Sequence, residues 1–435
     1  METIFKKFIK YISLNILGML SIAFCIFIDT FFISKAMGIY GLTALNLVIP
    51  IYSIINGIGH MLGIGGGARY GSLKAQGEKK EANRVFTLSL LMGIFFSVVC
   101  ILIGFFLTQQ LSLLLGAEGH ILTMTTPYLN TILILSPGLI LSNLFAGFIR
   151  NDGAPKVAMC ATIILSVTNI VLDYIFIFSF GWGMFGAAFA TMIGSLLSFF
   201  FLLGYWLKKK TNFHFVKTKF TGNQLKEIIS TGAPAFIGEI SSAVVITVFN
   251  LVILNLKGNV GVAAYGVVAN LAFVVIAIFM GLGQGVQPLV SEFFGKGDRK
   301  GLKKVIQYAL RTVFILASLI YGIVFLFADS MIAIFNSEHD LILAGIAHQA
   351  ILIYFTGFIF VGINIVSIIF LSVTTAPKSA ALLSLLRGGV IIVPTVLLFS
   401  RNLGIEGVWL SYPVSELLVT FVAVFCLKKI KHLNI

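Results

Sequence analysis

The chain is 435 residues long, and 58% of its residues are hydrophobic while only 11% are charged. A soluble domain carries about a quarter charged residues, so this composition excludes a water-soluble globular protein and a long disordered chain alike. The formal net charge of +14 does not indicate a nucleic-acid partner, because lysines and arginines form short clusters between hydrophobic runs. The composition therefore predicts a helical protein in a lipid bilayer.

Twelve apolar segments are long enough to cross a membrane, since a bilayer core about 30 Å thick requires roughly 20 apolar residues per helix. They are residues 10–34, 43–69, 85–107, 121–148, 156–179, 185–207, 228–256, 261–289, 304–328, 341–371, 378–400 and 405–427. The first follows three lysines, as a signal peptide would, but it is too long and lacks a small-residue cleavage site. We expect it to remain in the mature protein.

The basic residues indicate how these spans are oriented. With a cytoplasmic N-terminus, the inside segments hold the lysine and arginine clusters at 74–84, 208–226, 296–304 and 428–431. The outside segments hold only Lys35, Lys257 and Arg401. The positive-inside rule then predicts that both termini lie in the cytoplasm.

The sequence contains an internal repeat of six spans. Gly41–Arg84 matches Gly261–Lys304 at an offset of 220, and Ala154–Lys156 matches Ala376–Lys378 at an offset of 222. An even number of spans gives both copies the same orientation, related by an axis along the membrane normal. The predicted fold is an all-α integral membrane protein with twelve helices in two six-helix lobes. The predicted parts are an N-lobe at 1–207, a cytoplasmic linker at 208–227 and a C-lobe at 228–435.

Four carboxylates lie more than one helical turn inside predicted spans, where each costs at least about 2.5 kcal/mol and is a functional hypothesis by default. At about 1.5 Å per residue, Asp29 and Asp173 share a level in the outer half of the membrane. Thr191 lies at about the same depth, and Asn169 precedes Asp173 by four residues on the same helix face. This all-oxygen set suits Na⁺, or a proton on one of two neighbouring carboxyl groups. The simpler alternative is an interfacial Asp29 and a structural hydrogen bond to Asp173.

The repeat does not preserve this pair of acids, because Asp29 corresponds to Phe249 and Asp173 to Thr395. The other two acids, Glu239 and Glu416, come out near the midplane, and Arg387 is able to pair with either. A substrate contact and a buried ion pair both remain open for these three residues.

Cysteine and histidine give no strong signal. Cys25, Cys100, Cys160 and Cys426 stand singly in apolar runs, without the spacing of a zinc site or a disulfide framework. We interpret them as buried thiols. His60 and Asn56 are four residues apart in one span, and we expect an ordinary hydrogen-bonded histidine there.

Three motifs resemble the MATE family, the multidrug and toxic compound extrusion transporters, most closely its bacterial DinF- and MepA-like members. They are Phe27–Phe32, Asn169–Asp173 and Gly186–Thr191. The resemblance implies a cofactor-free monomer in the bacterial cell membrane that exchanges an inward cation, H⁺ or Na⁺, for outgoing cationic or amphipathic drugs. It implies a cation site at Asp29, Asn169, Asp173 and Thr191, joined by Tyr128 and Asn143.

Three other functions are less consistent with the sequence. A flippase for lipid-linked sugars, from the same superfamily, would carry basic residues in its cavity, whereas acids lie inside these spans. A channel would need a ring of residues around a pore, which one unrepeated pair does not form. An enzyme is least favoured, since no zinc-protease motif, nucleophile elbow or clustered metal ligands occur.

Overall fold

The computed structural model describes residues 3–218, 222–335, 340–374 and 376–429. Two parts of the predicted cytoplasmic segments, residues 219–221 of the linker and the tail after 429, lie outside these residues. The described chain is helical with short connections, which confirms the all-α prediction. Its α-helices are α1 (Ile4–Gln76), α2 (Lys79–Phe106), α3 (Thr108–Leu114), α4 (Gly119–Asn151), α5 (Pro155–Asp173), α6 (Gly183–Leu207), α7 (Gly222–Gly295), α8 (Arg299–Phe335), α9 (Leu341–Tyr354), α10 (Phe358–Val373), α11 (Pro377–Leu385) and α12 (Ile392–Lys429).

Three of the longest helices contain a glycine at which the chain leaves the helical path. Gly38 in α1 has φ 58° and ψ −146°, Gly258 in α7 has φ 63° and ψ −156°, and Gly404 in α12 has φ 60° and ψ −135°. Glycine adopts such a positive φ without steric cost. Nine helical segments of the described chain are apolar and long enough to cross a bilayer. Three of them are divided by these glycines, so the structure has the twelve predicted spans.

The backbone repeats the same irregularities in both halves of the chain. The reversals at Gly38 and Gly258 are 220 residues apart. Leu107, which ends α2, has φ −127° and ψ 5°, and Phe327, 220 residues later, breaks α8 with φ −119° and ψ 17°. The offset matches that of the sequence repeat, so the two sets of six spans follow one design.

Contacts divide the described residues into two units. One holds Leu17–Glu239 and Ser291–Gly297, and the other holds Ile240–Val290 together with the described residues before Leu17 and after Gly297. In the second unit the start of α1 packs closely on α7, since a Cβ on Gly281 would lie 2.6 Å from the Cα of Ile16. The predicted N-lobe (1–207), linker (208–227) and C-lobe (228–435) are defined by the sequence repeat, whereas these two units are defined by contacts. The predicted division therefore stays a prediction.

In the first unit, α1 and α4 cross with their backbones in contact. A Cβ added to Gly147 would clash with the Gly63 carbonyl oxygen, and a Cβ added to Gly63 would clash with the backbone carbonyl oxygen of Asn143. Small residues allow this approach between membrane helices. The crossing places Asn143 of α4 beside the second span of α1.

Candidate functional site

The two predicted acids, Asp29 of α1 and Asp173 at the end of α5, lie side by side. Asp173 is completely buried, and Asp29 is half-buried. Their carboxyl groups interact with each other, and Asn169 also approaches Asp173, but Asp29 Oδ1 and both oxygens of Asp173 lack a well-formed hydrogen bond within the described part of the chain. Buried acceptors are almost always hydrogen-bonded, so three unsatisfied carboxylate oxygens at one place indicate a site for a positive charge.

Asn169 connects this pair to α6, as the sequence predicted for Asn169 and Thr191. The Asn169 Nδ2 donates to Thr191 Oγ1 at 2.9 Å, and Thr191 Oγ1 donates to the Ala187 carbonyl at 3.1 Å. The Asn169 Oδ1 accepts from the Cys25 thiol at 2.7 Å. Sequence reasoning missed Cys25 because it treated the thiol as apolar filling. The available signal was its spacing, one helical turn before Asp29.

A hard cation such as Na⁺ requires oxygen ligands. Asn169 Oδ1 accepts from the Cys25 thiol, and Thr191 Oγ1 both accepts from Asn169 and donates to α6. Each of these two oxygens keeps a further lone pair, and the two carboxyl groups add their own oxygens. The residues therefore fit Na⁺ as well as a proton, and the identity of the ion stays a prediction.

The two residues assigned to this network by resemblance lie in different places. Tyr128 of α4 is buried and interacts electrostatically with Asp29 and Asp173. Asn143, also of α4, is bound elsewhere, since its Nδ2 donates to Asn56 Oδ1 at 2.9 Å. The physical reason is distance along the helix, because Asn143 is fifteen residues, about 22 Å, from Tyr128. Asn143 thus contacts Asn56 and none of the other predicted cation ligands through this bond, and its assignment to the cation site stays a prediction.

Asn143 belongs to a cluster around Glu239 of α7. Asn56 Nδ2 donates to Glu239 Oε2 at 3.1 Å, and His60 Nδ1 lies 3.1 Å from Glu239 Oε1. The side chain of Glu239 retains 24% of its exposure. His60 and Asn56, from which we expected only ordinary hydrogen bonding, hold this acid. A partly exposed carboxylate inside a predicted span is a candidate contact for a cationic ligand.

The fourth acid, Glu416 of α12, is paired. Glu416 Oε1 accepts from Arg387 Nε at 2.7 Å, and Glu416 Oε2 accepts from Asn364 Nδ2 at 2.7 Å. Glu416 is 4% exposed, so the charges neutralise each other inside the protein. Of the two partners that the sequence left open for Arg387, the structure selects Glu416. Tyr354 and Tyr412 stack beside this pair, with ring centroids 3.9 Å apart.

One polar contact occurs at the same place in both repeats. In the first repeat, the hydroxyls of Ser142 and Ser198 are 2.8 Å apart and join α4 to α6. In the second repeat, Thr420 Oγ1 donates to Asn364 Oδ1 at 3.1 Å and joins α12 to α10. Each of these residues is 222 positions from its counterpart. The contact thus relates α4 and α6 to α10 and α12.

The same offset shows what the ion pair replaces. Arg387 corresponds to Leu165 and Glu416 to Gly194. A Cβ on Gly194 would lie 2.8 Å from the Leu165 carbonyl oxygen, so α5 and α6 touch through their backbones. At the matching crossing of the second repeat, an arginine and a glutamate form the contact. This equivalence favours a structural role for Arg387 and Glu416.

The second repeat has no copy of the acid pair at its matching positions. Phe249, the counterpart of Asp29, is fully buried and stacks on Tyr265 with centroids 5.5 Å apart. Thr395, the counterpart of Asp173, donates to the Ile391 carbonyl at 2.7 Å. A hydrophobic ring and a satisfied hydroxyl stand where the first repeat has two unsatisfied carboxyl groups.

Twelve spans in two repeats, with acids inside several of the spans, are typical of a transporter of the parallel-repeat type. The sequence profile of the MatE family matches residues 15–175 and 234–397, one segment in each repeat. The chain belongs to the MatE family. It is therefore a multi-pass membrane transporter and not an enzyme.

Two sequence relatives and two solved structures give the range of similarity. The Multidrug export protein MepA of Staphylococcus saprophyticus is 29% identical over 427 residues, covering 97% of this chain and 93% of that protein. The Multidrug export protein MepA of Staphylococcus aureus is 27% identical over 430 residues, covering 97% of this chain and 92% of that protein. A structure of MATE in complex with MaL6 superposes with a TM-score of 0.91 at 21% identity, covering 97% and 95%.

The second solved structure is a transporter of the MOP superfamily from Pyrococcus furiosus, and its binding pocket is described as having reverse polarity. It has a TM-score of 0.90 at 22% identity, with coverage of 97% and 94%. At these identities the structural matches establish the fold. The function of the present chain has to be argued from its own site residues.

Proposed function

We propose that this protein exports cationic or amphipathic small molecules, including drugs, by exchanging each for a cation, H⁺ or Na⁺, that binds at Asp29 and Asp173. The observation that carries this proposal is the buried pair of carboxyl groups with three unsatisfied oxygens. Two unpaired acids inside a membrane destabilise the protein by several kcal/mol unless a cation or a proton binds to them. The staphylococcal relatives named as multidrug export proteins support the direction and the breadth of transport.

The same site supplies the coupling. A ligand shifts a conformational equilibrium only by its different affinity for the two states, so the entering cation must favour the state that releases the drug. Two adjacent carboxyl groups suit a shared proton, because like charges so close together cannot both ionise without cost. A tenfold gradient of the coupling ion contributes about 1.4 kcal/mol for each ion exchanged. Neither the monomer that we propose nor the transport cycle requires a cofactor besides the coupling ion.

Purified protein in liposomes tests this function with a fluorescent cationic dye. A pH gradient alone and a Na⁺ gradient alone are imposed in separate samples, and dye movement against its own gradient is recorded. We expect one of the two gradients to drive the dye. Dye movement that is indifferent to both gradients would reject cation-coupled antiport.

The orientation in the bacterial plasma membrane follows from the charge clusters, with both termini in the cytoplasm. We expect cysteines introduced at Lys79, Lys217 or Lys300, all exposed, to react with an impermeant maleimide only from the cytoplasmic side. A cysteine at the exposed Glu118 should react only from outside. Glu338, in a later predicted outside segment, should also react only from outside, but it lies beyond the described residues. Labelling from the opposite sides would reverse the topology, and the parent chain gives the background of its four native cysteines.

Glu239, held by Asn56 and His60, is the acid that we propose for the cationic group of the drug. Glu239→Gln removes the charge and keeps the shape, and a hydrogen bond to a charged group contributes about 1.5–3 kcal/mol. We therefore expect roughly tenfold to hundredfold weaker affinity for a monocationic dye, measured by fluorescence titration. The matched control is Glu227→Gln on the same helix, where the acid pairs with Arg69 at 2.9 Å and is 49% exposed. Equal affinity in both variants would assign Glu239 a structural role.

A further inference from the structure

The ends of the second and eighth spans meet within the first contact unit, beside the basic connections that follow them. A Cβ added to Gly71 of α1 would lie 3.1 Å from the Ser291 Cβ of α7. One turn further, a Cβ added to Gly295 would clash with the Ser72 carbonyl oxygen and lie 2.9 Å from the Ala75 Cβ. The two helices therefore touch through backbone and small side chains.

These contacts join residues to their own counterparts in the repeat. Gly71 corresponds to Ser291 and Ala75 to Gly295, at the offset of 220. Under two-fold symmetry a residue touches its own counterpart only beside the symmetry axis, as at the centre of an isologous interface. The pseudo-two-fold axis of the repeats therefore passes through this contact. We call it the axial crossing, formed by residues 71–75 of α1 and 291–295 of α7.

The axial crossing obstructs a path along this axis. In carriers built from repeats, substrate sites lie at the interface of the repeats, and the axis of parallel repeats runs along the membrane normal. Gly71 and Ser291 are buried where they meet, so no opening exists between them. The basic connections that begin here predict that this side faces the cytoplasm.

The eighth span changes its packing partners at the same place. Its residues up to Val290 belong to the second contact unit, whereas Ser291–Gly297 belong to the first. The helix α7 nevertheless continues to Gly295. If one repeat rocks against the other, the last turns of α7 have to leave the second span or bend away from their own helix.

We propose that the axial crossing is the cytoplasmic gate of this transporter, an inference that rests on the proposed function. The gate is closed in this structure and has to separate before a drug can enter from the cytoplasm. Contacts between small residues and backbone are individually weak. The helices can therefore part here without leaving a buried charge unpaired.

A reversible cross-link tests whether the gate has to open. Gly71→Cys with Ser291→Cys brings two thiols to the crossing, where the Cβ separation of 3.1 Å is close to that of a disulfide. We expect oxidation to reduce gradient-driven dye export in liposomes to the passive leak, and dithiothreitol to restore it. Mass spectrometry of the digested protein verifies the cross-link.

A second cysteine pair provides the matched control. The hydroxyls of Ser142 and Ser198 are 2.8 Å apart, and both residues belong to the first repeat. A disulfide between Ser142→Cys and Ser198→Cys therefore does not join the repeats, so the oxidised control should retain export. The oxidised parent protein shows the contribution of its native cysteines.

The single variant Ser291→Cys gives a measurement that depends neither on a disulfide nor on transport. Inside-out vesicles are treated with an impermeant maleimide, and mass spectrometry locates the label. Ser291 is 0% exposed and Ser198 is 1% exposed. We expect Ser291→Cys to react roughly tenfold faster than Ser198→Cys, because a minor open state exposes the gate and leaves the interior of the repeat closed.

Three results would overturn the proposal. Undiminished export by protein cross-linked between positions 71 and 291 would show that the crossing does not open. A folded Gly71→Cys, Ser291→Cys variant that does not cross-link, under conditions that cross-link the control pair, would show that the contact does not form. Equal labelling of Ser291→Cys and Ser198→Cys would show that no opening exposes it. Absence of dye export by the parent protein would instead contradict the proposed function, and labelling would then decide about the gate.

Discussion

Replacing Asp173 by asparagine is expected to reduce gradient-driven dye export to the passive leak. Asparagine keeps the size of the side chain but cannot take up and release a positive charge, so the coupling is lost and the shape is retained. The exchange of one cation for one monocationic dye moves no net charge, so a tenfold gradient of the coupling ion, worth about 1.4 kcal/mol, corresponds to roughly tenfold accumulation. This accumulation should disappear in Asp173→Asn, and in Asp29→Asn, when both are assayed in liposomes under an imposed gradient.

The repeat provides the matched controls for this experiment. Thr395→Val and Phe249→Leu change the counterparts of the two acids, where the structure shows a satisfied hydroxyl and a packed ring. They should retain export, and all four variants should melt close to the parent protein. If Asp173 only accepted a structural hydrogen bond, asparagine would serve as well. Retained accumulation in Asp173→Asn would then place the coupling elsewhere.

The sequence predicted the number of spans but not their ends. The first two spans were predicted at 10–34 and 43–69, whereas the helix runs from Ile4 to Gln76 and reverses at Gly38 alone. Hydropathy detects the part of a helix that lies in lipid. It does not detect polar turns that continue the helix beyond the bilayer, so the predicted spans were too short at both ends.

The site was predictable where helical spacing and depth sufficed. Asn169 and Asp173 are one turn apart on α5, and Thr191 was matched to them in depth; in the structure Asn169 donates to Thr191. The thiol of Cys25 was not predictable, because nothing in a single sequence shows which neighbour a side chain meets across two helices. The same reason explains why the partner of Arg387 stayed open, since two acids lay at one depth.

The ion pair of Arg387 and Glu416 leads to the largest expected effect on stability. Removing one partner of a buried pair leaves an uncompensated charge and costs about 3–5 kcal/mol. Arg387→Met should therefore lower the free energy of unfolding in detergent by about this amount, because Glu416 is 4% exposed and would lose its charged partner. Arg401→Met, which removes an exposed arginine from α12, should change it by less than about 0.5 kcal/mol.

The double variant separates a structural pair from a transport site. Replacing both charges of a buried pair by groups of similar volume is often neutral, so Arg387→Met with Glu416→Gln should recover most of the lost stability. Glutamine also keeps an acceptor for Asn364, which donates to Glu416 at 2.7 Å. If the pair replaces the backbone contact of Leu165 and Gly194, the stable double variant should still export dye. A double variant that is stable but inactive would show that these charges take part in transport.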